Sequence, residues 1–225
     1  DSVLAGSEAV NISALGGAVS EVTSAAAVIT TGAAGRTLIE AKNGIGSGDA
    51  IETSTGSVIL TNSTANHIQV DEVAGGVNLD IILATNVTGN ITITTAAGIL
   101  TVVADGVLTN VVTTTTTGTI TLSATGGNLV VNDGVQSADG QVTLSSTTAD
   151  VVFAADGDVT TTSGEIEVNA ASDITMVDGT VLNAGDDIID LNATADNVVL
   201  GQLITTSDSV LAGSEAVNIS ALGGA

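Results

Sequence analysis

GTITLSA (118–124), GQVTLSS (140–146), GEIEVNA (164–170) and GDDIIDLNA (185–193) are four variants of one phrase. Apolar residues take alternate positions in each, so Ile120 and Leu122, Val142 and Leu144, and Ile166 and Val168 point one way while Thr, Gln and Glu point the other. That is the period of a half-buried strand. Looser relatives come earlier: SEAVNISA from Ser7, GRTLIEA from Gly35, GSVILTN from Gly56 and GVNLDI from Gly76. With Gly98 included, the glycine starts from Gly35 to Gly185 are 21, 20, 22, 20, 22, 24 and 21 residues apart.

Two shorter alternating pieces follow each of the later phrases. One comprises NLVV at Asn128, DVVF at Asp150, DITM at Asp173 and NVVL at Asn197; the other GVQS at Gly134, DVTTTS at Asp158, TVLNA at Thr180 and QLITTS at Gln202. Resemblance at every third strand predicts an all-β, parallel β-helix or solenoid with three short strands per coil, equivalent strands stacked about 4.8 Å apart. A hairpin meander gives no reason for such a recurrence.

A longer period encloses the short one. Residues 1–18, DSVLAGSEAVNISALGGA, recur letter for letter at 208–225, an offset of 207. Residues 1–207 therefore read as one complete unit and 208–225 as the start of the next, continuous with it, as in a window on a tandem array. Counting coils by the glycine spacing gives about nine or ten per unit, a rod advancing roughly 43–48 Å. Stacking unit on unit would leave unpaired edges only at the tips.

Composition fits narrow, regular layers. Of 225 residues 44% are apolar, yet Phe153 is the sole aromatic, Pro and Cys are absent, and there are 27 glycines. Val, Ile and Thr favour strands, and large rings are what irregular cores use. The net charge is −23, with Arg36 and Lys42 the only basic residues, so nucleic acid is excluded as a partner. Polar residues interrupt every apolar run well short of about 18 residues, so no membrane span is expected, and the aromatic girdles of a membrane barrel are missing. Without cysteine the chain has neither disulfides nor thiolate metal ligands.

The phrase G-x-Φ-x-Φ-x-A, where Φ is apolar, at these coil lengths resembles the filamentous haemagglutinin-like repeats of very large secreted bacterial adhesins. The resemblance covers most of the chain, and other β-solenoids share so degenerate a motif. It implies a right-handed shaft at the cell surface or outside the cell, built of further copies of the chain along one axis, with neighbouring filaments or glycans as lateral partners. No enzyme and no cofactor are expected.

Individual residues give weaker signals. Asp105, Asp133, Asp156 and Asp178 each precede a glycine. Asp-Gly is turn chemistry. Stacked carboxylates about 5 Å apart would also repel by roughly 1 kcal/mol in water, which makes these the candidates for weak Ca2+ or other divalent-cation binding. The calcium-roll pattern GGxGxDxUx is absent. Asn-x-Ser/Thr triplets fall at Asn11, Asn62, Asn86, Asn90, Asn192 and Asn218, acceptor positions if the chain meets a glycosylating compartment. His67, in NHIQV, alternates against Ile68 and Val70 and reads as a surface residue.

Two competing functions leave marks to look for. Threonines gather before the coil starts, at 30–31, 53 and 55, 113–117, 160–162 and 205–206, and a flat hydroxyl face built from them could bind glycan or ice. A polysaccharide hydrolase would need paired acids, for which Asp186, Asp187 and Asp190 are the nearest match, but it would lack aromatic platforms for sugar.

Overall fold

The computed structural model describes residues 9–22, 26–73, 77–104, 110–206 and 216–223. The chain is all-β, its strands forming one continuous parallel set with no helix among the described residues. It winds as a solenoid whose coils stack strand on strand.

Three tracks run along the axis. The first stacks Ile68–Glu72, Ile91–Thr95, Ile120–Ala124, Val142–Ser146, Ile166–Ala170, Ile189–Ala193 and Val217–Ala221. The second stacks 79–81 on Leu100–Val102, Leu129–Val131, Val151–Phe153, Ile174–Met176 and Val198–Val199. The third stacks 84–86 on Val112–Thr114, Val135–Ser137, Val159–Thr160, Val181–Asn183 and Gln202–Ile204. At the N-terminal end Ala9–Ala14 and the later parts of the long strands Ile29–Ala41 and Ile51–Asn62 lie under the second and third tracks, while 51–53 pair with 70–72 of the first.

Alternation sorts side chains as the sequence predicts. Ile68, Ile91, Ile120, Val142, Ile166 and Ile189 form one fully buried row, and Val70, Ile93, Leu122, Leu144, Val168 and Leu191 form the next. Each such side chain contributes about 1.5–3 kcal/mol of burial. Register is fixed because a slip of one residue would turn an entire row out to water.

The turn count is lower than the glycine spacing implies. From Ala9–Ala14 to Gln202–Ile204 the third track climbs through nine strand layers, about eight turns, rather than nine or ten per unit. The glycine starts do not all lie on one track. Phrases from Gly118 onward belong to the first, whereas those at Gly35, Gly56, Gly76 and Gly98 belong to the second and third. Stacked partners are typically 22–24 residues apart, but 29 between Asn90 and Thr119, where the chain makes a longer excursion.

Candidate functional site: corner columns, acidic face and open edges

Each phrase starts with glycine for a steric reason. At the corner entering the first track a methyl group on Gly118 would meet the carbonyl oxygen of Gly89, one on Gly140 that of Gly118, and one on Gly164 that of Gly140. The coils touch there backbone to backbone. Beside this column runs a row of buried polar side chains that satisfies the corner. Ser137 Oγ donates to Gly118 O (2.8 Å) and accepts from Gly140 N (2.8 Å); Thr161 Oγ1 donates to Gly140 O (3.3 Å) and accepts from Gly164 N (3.0 Å).

Lower in the same row stand two of the six Asn-x-Ser/Thr asparagines. Asn62 and Asn86 are each 1% exposed. Asn62 Nδ2 donates to Asn86 Oδ1 at 2.9 Å and to Ala65 O at 2.7 Å, while its Oδ1 accepts from Gly44 N at 2.8 Å. Asn86 Nδ2 donates to Asn66 O and Asn90 O, both at 3.0 Å. Their amides hold the coils together, so the folded chain does not present either for glycosylation. Asn11 and Asn218 are exposed; Asn90 and Asn192 are half-buried. His67 is also half-buried, and its Nδ1 accepts the Asn90 N–H at 3.0 Å, a bond between coils rather than a ligand position.

The threonine groups do not make one flat outer face. Thr53 and Thr55 are fully buried, with Thr114 and Thr161 nearly so, whereas Thr115, Thr117, Thr162 and Thr206 are exposed. Glu72, which has no motif around it in the sequence, is the reason for the first pair. Its buried Oε2 accepts from Thr53 Oγ1 at 2.9 Å and from Thr55 N at 2.8 Å.

The four Asp-Gly aspartates do not stack into a ladder. Asp105 lies outside the described residues. Asp133 is 5% exposed and its Oδ1 accepts from Gly134 N, while Asp156 and Asp178 sit on exposed turns. The register Val135↔Val159 sets Asp133 level with Gly157, not Asp156, so the Asp-Gly motif shifts between coils. Among the described residues no group of three or more His, Asp or Glu side chains could hold a metal ion.

Acids do gather on the outer side of the first track. Glu167 is in register with Asp190, and Gln141 Nε2 donates to Glu165 Oε2 (3.0 Å) and Glu167 Oε2 (3.3 Å). Partial burial, followed by the charges of Glu167, Asp187 and Asp190, holds the Glu165 carboxyl above its ordinary range. Asp186 stands apart, exposed in a shallow groove with Thr160, Thr162 and Asn183, so the three acids that a hydrolase would share are divided between two surfaces.

A second strained carboxyl is Glu52, whose pKa is raised by its hydrogen bond to the Glu21 carboxyl group, then by burial and by the Glu21 and Asp49 charges. For a carboxyl with a raised folded pKa the protonated form favours the fold, so stability is gained as pH falls toward the ordinary value and lost as pH rises through the folded one. The thermal midpoint is therefore expected to be higher at pH 5 than at pH 7.5, with Glu52→Gln and Glu165→Gln each flattening the difference. Scanning calorimetry at the two pH values checks it; a midpoint that falls on acidification is the contrary result.

The ends differ from the shaft. Among the described residues the large apolar side chains left exposed include Leu15, Val22 and Val28 at the first coil and Val199, Leu200, Ile219 and Leu222 at the last, with Val87 and Val177 on turns between. Val217–Ala221 is bonded below to Ile189–Ala193, and Ala9–Ala14 above to 36–41. No described strand covers the other edge of either. Among the described residues no helix is long and apolar enough to cross a membrane. Neither a family model, nor a curated protein, nor a solved structure matches this chain.

Proposed function

We propose that the chain is a structural, non-enzymatic unit of a long extracellular β-solenoid filament, an adhesin stalk of the kind its phrase resembles, with units joined end to end. The observation that carries this reading is the recurrence of one segment within the parallel ladder: residues 9–14 bond to 36–41, and their copy Val217–Ala221 bonds to Ile189–Ala193. A parallel ladder that takes the same strand at two levels can be continued by further sequence of the same kind. Hydrogen-bonded strands and stacked aliphatic rows transmit load along the axis. A net charge of −23 keeps neighbouring rods apart until cations screen it, the role left for Ca2+ or other divalent ions.

The test is electron microscopy of chains carrying one, two and four 207-residue units. Rods of constant width that lengthen by about 40 Å per added unit are expected, from about eight turns at the strand spacing. Particles that widen or collapse into separate beads would overturn the reading.

A further inference from the structure

The duplicated segment occupies two different tracks. In the first copy Val10, Ile12 and Ala14 stand in register with Thr37, Ile39 and Ala41, at the foot of the second and third tracks. In the second copy Val217, Ile219 and Ala221 stand in register with Ile189, Leu191 and Ala193, at the top of the first track. Eight turns carry the third track from the first copy to Gln202–Ile204, and the second copy lies on the face that follows.

Both placements use the strand in the same sense. The register puts Val, Ile and Ala in the inward rows in each; Val10, Ile12, Ala14 and Val217 pack against the core cluster, while Ile219 and Ala221 are exposed. They differ only in which edge is bonded, the upper in the first copy and the lower in the second. Taking the filament reading as given, we infer that one VNISA strand uses both edges at every junction, sandwiched between IDLNA of one unit and TLIEA of the next. Counted from Ile12 and Ala14, which stand on the third track, the 207-residue period then equals eight and one-third turns, and each unit is rotated by one face relative to the unit before it.

A glycine in the same segment is consistent with this arrangement. A methyl group on Gly16 of the first copy would meet nothing within 4 Å, yet on its counterpart Gly223 it would collide with the backbone of Ala195 in the coil beneath. The residue has a steric reason only where a coil lies below it, which is the junction position. The ladder across the junction reads Leu191–Ile219–Ile39 in one inward row and Ala193–Ala221–Ala41 in the next. It is as regular as any row in the shaft.

The test extends the full chain through a second complete unit, with residues 19–207 following Ala225. The protein has no cysteine, so introduced pairs report cleanly under mild oxidation. Three double variants are made, all at positions alternating away from the core: N192C with S220C, I204C with S220C, and S220C with E40C of the second unit. In-register neighbours are within disulfide reach, whereas positions on different tracks are not. Cross-linking of the first and third pairs and none of the second is expected. If the second pair links in place of the first, the period is a whole number of turns; the rotation is overturned and the filament survives. If the third links but neither of the others does, units do not stack and both readings fall. Absence of the third link shows that the segment does not bond to its own following coil in the second unit, and overturns the inference alone when rods still lengthen in the micrographs.

Discussion

Gly140→Ala is expected to cost about 3 kcal/mol or more, above the usual range for overpacking, and to lower the thermal midpoint by roughly 6–12 °C. The added methyl would collide with the Gly118 carbonyl oxygen and lie 2.9 Å from that of Thr117, both backbone atoms with little freedom to retreat. Relief requires separating two coils, which would lengthen the bonds joining Val142–Ser146 to Ile120–Ala124 and disturb the Ser137 hydroxyl that caps Gly140 N. Gly16→Ala, where nothing lies within 4 Å, is the control and should stay within about 0.5 kcal/mol. Calorimetry on the two variants decides it. Equal midpoints would mean that the corner column can part without penalty.

Phe153→Ala should cost about 3–5 kcal/mol, because the largest side chain in the core is fully buried and a shaft of stacked layers has little means of closing the gap. The ring is in register with Val131 below and Met176 above, and Val131 is itself in register with Val102 on its far side. Phe153→Leu retains most of the volume and should cost less than about 1.5 kcal/mol. Denaturant unfolding of the three proteins gives the comparison, and a Phe153→Ala midpoint within error of the parent would show that the interior is loosely filled there. An array of stacked layers need not unfold as one unit, so the loss is also to be read from hydrogen exchange in the coils nearest residue 153.

Much of this architecture was legible in the residues. Alternation identifies Ile120, Leu122, Val142, Leu144, Ile166 and Val168 as inward, and all six are buried. The recurrence from Gly118 to Gly185 finds a real track. Before Gly118 the same method loses its place, because a phrase such as GRTLIEA can sit on any face that presents a parallel edge and the letters alone do not say which. Two lengths mislead it further: the 29-residue step near Asn90 and the single long strand Ile51–Asn62, which spans more than one track.

Polar residues were the harder part. Asn62, Asn86, Thr53 and Thr55 carry the composition of a surface, but each finds its partner about 17 to 24 residues away, in the coil above or below. A partner at that separation becomes visible only once the register is known. The same holds for Glu167 and Asp190, which alignment of GEIEVNA with GDDIIDLNA does place opposite each other, one letter after Ile166 and Ile189 are matched. That register is the signal for the acidic face, whereas Asp186, a near neighbour of Asp190 in sequence, lies on another surface.

The short separation between stacked partners, at most 29 residues, also governs how such a chain can acquire its shape. Each new coil closes a loop of about two dozen residues onto a coil already formed, so the entropic cost of closure is nearly the same at every step and does not grow with total length. Only the first coils lack a template, and they bear the cost of nucleation for everything that follows. A polypeptide delivered from one end could therefore wind up in the order in which it arrives, and lengthening it a hundredfold would add time in proportion without adding a kinetic barrier.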